Sequence, residues 1–342
     1  MKRHLNTLYI TSPDAYIHKE GMTFVVEIDE KKVLQAPVQT IENIVCFGFK
    51  PVTPALMAFC AENNIGVCYL SMHGRFLARV YGEQHGNVLL RKKHYSMSDS
   101  EEQSLSVARN IVAAKIANSR NILQRHIRNH GEDEGGDMCA GVRSLARTMK
   151  LVEGAHSLDT LRGFEGESAS AYFGCFNELI TSQREDFQFK GRSRRPPLDN
   201  INALLSFVYM LLVNDIRSAL ETTGLDPQVG FLHRLRPGRP SLALDIMEEL
   251  RAYIADRVVL NLINLKQLTK EDFEMRETGE IRIGDKGRKE VLIAYQKRKD
   301  EVIEHPFLGE KTTIGLVPHI QAMLLARYVR GDLVQYPPFY IR

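Results

Sequence analysis

The sequence predicts an α+β protein in two parts, a small β-rich N-terminal domain over residues 1–87 and a larger all-α domain over residues 88–342. Three observations carry that prediction. Up to Asn87 the apolar residues fall in short β-branched and aromatic runs broken by turn signals. Beyond it they recur at three-and-four spacing over lengths that only helices reach. The composition, 342 residues with 44% hydrophobic and 25% charged, suits a chain that buries one large core or two smaller ones.

Taken in order, TLYITS, AYIHK, MTFVVEI, KKVLQA and NIVCFG read as strands separated by Ser-Pro-Asp, Glu-Gly and Asp-Glu turns. TPALMAFCAENN reads as one helix, with Thr53 as N-cap and Pro54 in the first turn, where a missing N–H costs nothing. IGVCYL and FLARVYG return to strand, and the unit ends between Tyr81 and Asn87. SLSVARNIVAAKIANSRNILQRHI and NINALLSFVYMLLVNDIRSAL are then strong helical signals. Between them GEDEGGD, residues 131–137, reads as a solvated acidic loop. FKGRSRRPP, residues 189–197, reads as a basic extended loop whose two prolines disfavour helix. Towards the C-terminus GEIRIG reads as a short strand, KGRKEVLIAYQKRKDEV as a very basic helix and YPPFYIR as an extended tail.

Charge and cysteine usage narrow the function classes. Lys plus Arg number 45 against 42 for Asp plus Glu, so a formal charge of +3 does not itself argue for a nucleic-acid partner; an anionic ligand must meet a local patch. The five cysteines are odd in number, scattered and never spaced as CxxC, which argues against a disulfide framework or a cysteine zinc site and for a reducing cytosol. MKRHLNTLYITS lacks the apolar core and small-residue cleavage site of a signal peptide, and no apolar run is expected to reach membrane-spanning length. The expectation is a soluble cytoplasmic protein.

Chemistry concentrates in FLHRLRPGRPSLALDIMEELR, residues 231–251. Ser241 is an N-cap candidate, and Ala243, Ile246, Met247, Leu250 and Ile254 form the apolar stripe of the following helix. At about 100° per residue Asp245 falls almost opposite the stripe, with Glu248 and Glu249 on its flanks. Asp245 and Glu248 are neighbours at i, i+3, and two close carboxylates are relieved by a shared cation. His233 is near enough in sequence to fold over this helix. Spacing leaves two readings open, a metal or catalytic role for His233 with one of these acids, or a packed histidine beside a solvated acidic face. In RGFEGESASAYF, residues 162–173, small residues allow close backbone approach, and Glu165, Ala169 and Tyr172 share a face from which Glu167 is excluded. His126 and His130, an i, i+4 pair beside arginines, read as surface residues, and Asn202 and Tyr209 as buried polar support.

Together GFEGESASAYF, RRPPLDNINALLSFVYMLL and GLDPQVGFLHRLRPGRPSLALDIMEELR resemble, in that order, the motifs of the Cas-one family of CRISPR-associated endonucleases and integrases, most of all its subtype I-C branch. The resemblance covers essentially the whole chain and implies that the helical domain is catalytic. In that family a glutamate, a histidine and an acid from these segments bind a divalent metal. By motif the resemblance implies Glu165, His233 and Glu248 as ligands, with Asp245 in a supporting place. One imidazole and two carboxylates leave positions for water and phosphate oxygens, which suits Mg²⁺ or Mn²⁺ better than a closed zinc site.

The resemblance further implies the reaction, attack of a DNA 3′-hydroxyl on a phosphodiester of the CRISPR repeat, which inserts new spacer DNA. It implies double-stranded prespacer DNA and CRISPR repeat DNA as substrates, and a homodimer built through the β domains. Two such dimers would be bridged by a small Cas-two dimer into a heterohexamer, with Cas-four as a further candidate partner. Lys190, Arg192, Arg194 and Arg195 in the basic loop, and Arg234, Arg236 and Arg239 beside the histidine, are candidates to track a DNA backbone, which demands only charge and reach. The basic helix at residues 286–299 suits DNA or a protein equally. Two rival classes are a non-catalytic DNA-binding scaffold of the same fold and a metal-dependent hydrolase of a small phosphoester.

Overall fold

The alternating runs of the N-terminal part form seven strands: β1 (Asn6–Ile10), β2 (Tyr16–Glu20), β3 (Thr23–Ile28), β4 (Lys31–Pro37), β5 (Ile41–Phe47), β6 (Gly66–Leu70) and β7 (Phe76–Val80). In this computed structural model, which describes residues 6–12, 14–49, 51–82, 88–131, 136–194 and 196–341, the chain divides into two compact units, Met1–His85 and Gly86–Arg342. Most of the sequence interval expected to hold the boundary, residues 83–87, lies outside the described residues.

In the first unit β1, β5, β6 and β7 make one sheet in the order β1-β5-β6-β7, parallel except for β7, and β2-β3-β4 make an antiparallel sheet. Helix α1 (Pro54–Glu62) starts as its sequence demands, with the Thr53 hydroxyl accepting from the Leu56 N–H at 3.2 Å and Pro54 in the first turn. Its Leu56 and Cys60 join Ile17, Phe24, Ile44, Cys46 and Val67 in one apolar core.

The second unit is mainly helical: α2 (Val88–Asp99), α3 (Glu101–His130), α4 (Asp137–Glu153), α5 (Leu158–Gly174), α6 (Asn200–Thr223), α7 (Ser241–Leu250) and α8 (Arg257–Asn264) come first. It is not all-α. The GEIRIG segment supplies β9 (Ile281–Ile283), paired antiparallel with β8 (Phe273–Met275). After α9 (Asp285–Asp300), a second ribbon pairs β10 (Val302–Glu304) with β11 (Lys311–Thr313) before α10 (Val317–Arg330). β9 is the short strand read from GEIRIG, whereas β8, β10 and β11, three residues each, are too short to announce themselves by alternation. Residues 132–135 of the acidic loop lie outside the described residues.

Helix α6 corrects the expectation about apolar runs, because it is long and apolar enough to cross a membrane, although 67% of that stretch is buried inside the fold. Ile201, Leu204, Leu205, Val208, Leu211 and Leu212 are all within the core. A helix apolar on every side is a central core helix when others surround it. None of the five cysteines is joined in a disulfide.

Candidate metal centre

Helix α7 is short, and every residue of it except Leu244 is buried. The apolar stripe is buried as expected, but Asp245, Glu248 and Glu249 are buried too, at 0%, 5% and 0% exposure. The solvated acidic face is therefore overturned: other elements cover the polar side as well. Nor is Ser241 the N-cap, which is Pro240. The carbonyl of Pro227 instead accepts from the first amides, Leu242 at 2.9 Å and Ala243 at 3.2 Å, and the Ser241 hydroxyl donates to the Arg234 carbonyl at 3.3 Å.

Asp245 organises the histidine. One of its oxygens accepts from the backbone N–H of Phe231 (2.6 Å) and Leu232 (3.0 Å), and the other from the His233 N–H (3.0 Å), with His233 Nδ1 at 2.6 Å. A carboxylate only accepts, so Nδ1 carries the proton of this contact, and in the neutral ring Nε2 keeps the lone pair a metal needs. Gly230 makes the approach possible, since a Cβ there would stand 2.8 Å from Asp245 Oδ2 and from Ser241. The segment is pinned from other elements also. On α2 the His94 ring meets the Val229 carbonyl at 2.9 Å and Ser98 donates to the Gly230 carbonyl at 2.9 Å, while Arg162 of α5 donates to the Leu232 carbonyl at 2.7 Å.

Glu248 and Glu165 meet on a residue that sequence reasoning missed. Lys115, on α3 and 2% exposed, places its ammonium 2.7 Å from Glu248 Oε2 and against Glu165 Oε1. Arg251 reaches Glu248 at 3.2 Å from the next turn. Burial alone would raise the Glu248 carboxyl, but Arg251 and Lys115, with His233 behind them, hold it at about 2. Glu248 Oε2 is nonetheless a buried acceptor without a well-directed hydrogen bond. Its contacts are those of charge to charge. Glu165 is placed on α5 with its backbone carbonyl bonded by Ser168 at 2.7 Å, while Glu167 points away to an exposed pair with Arg147 at 2.9 Å. The available signal for Lys115 was a lone lysine inside the apolar run IVAAKIAN.

Behind these groups the chain bulges. The Asp256 N–H bonds the Arg251 carbonyl five residues back, making a π-turn over Ala252–Asp256, a feature frequent at functional sites. Asp256, fully buried, accepts from Tyr209 at 2.6 Å and Tyr172 at 3.0 Å; burial raises its carboxyl against the opposing pull of Arg251. Tyr209 is thus the buried support expected, and so is Asn202, which accepts from Arg192 at 2.6 Å. Glu249 faces the other way: it accepts from the Tyr336 hydroxyl and from the Phe339 N–H at 2.8 Å, and burial raises it to about 7.

The profile of the CRISPR associated protein Cas1 family matches residues 8–297. CRISPR-associated endonuclease Cas1 1 of Chlorobaculum tepidum is 49% identical over 340 residues, 99% of each chain. The chain belongs to the Cas1 family. Its fold is that of solved relatives: a Cas1 protein from Thermotoga maritima superposes with TM-score 0.81 at 23% identity over 98% of this chain and 100% of that one. A casposase bound to integration product superposes at 0.83, with 22% identity over 98% and 95% of the two chains.

For a Cas1-family chain the question is whether these residues fit a divalent ion. Two carboxylates converge on a cation, one carries a buried oxygen in want of a directed partner, and a histidine oriented through Nδ1 stands beside them; that donor set fits. The three donor atoms do not all lie within 4.8 Å of one another. Among the described residues that closeness occurs at His18, Glu20 and Glu27 in the β unit. There Lys32 already pairs Glu20 at 2.6 Å, and His18 pairs Glu27 at 3.2 Å.

The basic candidates divide. Lys190 and Arg194 are exposed, but Arg192 turns inward, bonded to Asn202, Ser193 and Ser206 and over the Tyr209 ring at 5.3 Å, so it braces the loop. Arg195 lies outside the described residues. Arg234 is tied to Asp159 at 2.9 Å. Arg236 is exposed, and Arg239 is partly buried with its guanidinium depressed, first by burial and then by Arg236, Arg194 and Arg162. The basic loop and the Arg-Pro-Gly-Arg turn therefore share one field of positive charge.

Proposed function

We infer that this chain is a metal-dependent DNA endonuclease and integrase of CRISPR adaptation, which joins a DNA 3′-hydroxyl to a phosphodiester of the repeat. The observation that supports it most is the meeting of Glu165 and Glu248 on one buried cationic position beside His233. Glu165, His233 and Glu248 would hold the ion, Mg²⁺ or Mn²⁺. Bound there, it supplies Lewis acidity to the scissile phosphate and to the charge developing on the attacking and leaving oxygens.

The chain's own residues do the rest. Asp245 fixes the ring and tautomer of His233, and Arg251 keeps Glu248 ionised. Arg194, Arg236 and Arg239 draw phosphate to the site, with Lys190 and Arg195 as further candidates and Arg192 as the brace beneath them. The substrates in this reading are double-stranded prespacer DNA and CRISPR repeat DNA. The assembly is a homodimer through the β-rich domain of residues 1–87, bridged by a Cas-two dimer, with Cas-four as an additional partner, in the cytoplasm. The resemblance of its motifs supports the subtype I-C branch as the one nearest to this chain.

The test is incubation with Mn²⁺ and either branched DNA or prespacer plus repeat DNA. His233→Ala and Glu248→Ala should each lose cleavage and strand transfer by about 100-fold while binding DNA as the wild type does. Survival of both reactions in both variants overturns the metal-site reading, whereas a wild-type chain that binds these DNAs but carries out neither reaction leaves the non-catalytic scaffold.

A further inference from the structure

The two glutamates of the centre are neutralised without any metal. Glu165 and Glu248 bring two negative charges, and Lys115 and Arg251 bring two positive ones, so the four groups sum to zero. Arg251 belongs to the fold: it is 3% exposed and lies over the Phe173 and Tyr209 rings at 5.5 and 5.6 Å. Lys115 differs in that its ammonium pairs with the two carboxylates themselves. Its stem rises from a stretch of α3 in which Ile111, Ala114 and Ile116 are also fully buried, and its ammonium lies between acids from two other helices. A flexible four-carbon stem with a compact charge is suited to yield that position, where a guanidinium fork would hold it.

We propose that Lys115 is an internal counter-cation: it holds Glu165 and Glu248 together in the metal-free protein and competes with the divalent ion for them. This rests on the assignment of both glutamates as ligands. Adding a doubly charged ion to a set already at zero leaves excess positive charge, and a DNA phosphate arriving at the centre removes it. Metal and DNA therefore bind with positive coupling, each raising the affinity of the other by the same factor. Lys115 is a positioning residue that keeps the centre weakly metalated until substrate arrives.

The experiment is a Mn²⁺ titration of the full chain followed by electron paramagnetic resonance, with and without duplex DNA. Without DNA, Lys115→Met and Lys115→Gln should bind Mn²⁺ about tenfold more tightly than wild type, whereas Lys115→Arg should bind no more tightly. The gain in Mn²⁺ affinity on adding DNA should shrink in the two uncharged variants. A merely structural lysine predicts the opposite sign, looser binding on its removal. Two uncharged substitutions of different shape, checked by circular dichroism, keep the result readable if one folds poorly. Equal or weaker Mn²⁺ binding by the folded uncharged variants overturns the proposal, as does equal tightening by Lys115→Arg. Glu248→Gln separates the underlying assignment: if it leaves Mn²⁺ affinity untouched, the ligand reading fails. If it abolishes binding while Lys115→Met does not tighten it, the counter-cation alone fails.

Discussion

The two units of this chain bury different things. In the β unit the described buried polar residues are Thr7 and Asn43, while the helical unit encloses Lys115, Asp245, Glu248, Glu249, Arg251 and Asp256, several of them without solvent exposure. Burying charge is costly unless each group is paired, and the pairing seldom stabilises more than an apolar replacement would. A unit that gathers so many ionisable groups in its interior is organised around chemistry, whereas one that confines them to its surface is organised around packing.

The difference is sharpest where one partner of a pair is removed. Arg251→Met should destabilise the helical unit by about 3–5 kcal/mol, because Glu248 keeps only one of its two buried cations and Asp256 loses the positive charge that opposes the cost of its burial. Lys32→Ala in the β unit, which breaks the exposed pair with Glu20 at 2.6 Å, should leave the urea midpoint unchanged. Comparable losses in the two variants would erase the distinction.

Next in size is the strap formed by the C-terminal tail. Asn118 of α3 donates to the carbonyls of Glu249 (2.7 Å) and Phe339 (2.8 Å) and accepts from the Ile341 N–H (2.9 Å), so it joins α7 to the tail in the interior. Asn118→Ala should cost about 1–3 kcal/mol by urea denaturation, since it orphans buried backbone groups.

These two predictions rest on residues of unequal legibility. The β unit could be read almost strand by strand, because alternation and turn residues are local signals, and Thr53-Pro54 announced its helix. On α7 the angular position of Asp245 was right and its surroundings wrong: the face opposite the stripe is covered by the 226–234 segment, which no periodicity reveals. Helical geometry paired Asp245 with Glu248, and the family motifs singled out His233, Glu165 and Glu248. Lys115, Arg251 and the tail strap stayed hidden, since Asn118 and Phe339 are joined across 221 positions. Arg192 was grouped with its basic neighbours because charge is visible in a sequence and the direction of a side chain is not.

Helix caps should treat the two units alike, which makes them a control on the comparison. Thr53→Ala removes the acceptor for Leu56, and Asp199→Ala removes the acceptor for Asn202 N–H at 2.7 Å. Each should cost about 1 kcal/mol in thermal or urea unfolding.

The smallest expected effect is on pH dependence. Burial lowers the His305 imidazole below 6.5, opposed by its contact with Gln321 at 3.1 Å. Below pH 6.5 the unfolded chain therefore binds a proton that the folded chain refuses. Wild-type stability relative to His305→Asn should be constant above that pH and fall as the pH drops from 6.5 towards the folded value. Melting curves at pH 7.5 and 5.5 measure it, and a parallel response of both proteins would show that this histidine is not buried neutral.

The central claim is that the buried charges of the helical unit serve one metal. Anomalous diffraction from crystals grown with Mn²⁺ tests it most directly. An ion within about 2–2.5 Å of Glu165, His233 and Glu248 side-chain atoms is the expected result. An ion held elsewhere, at His18, Glu20 and Glu27 for example, with Glu165 and Glu248 still closed on Lys115 at saturating Mn²⁺, would contradict it.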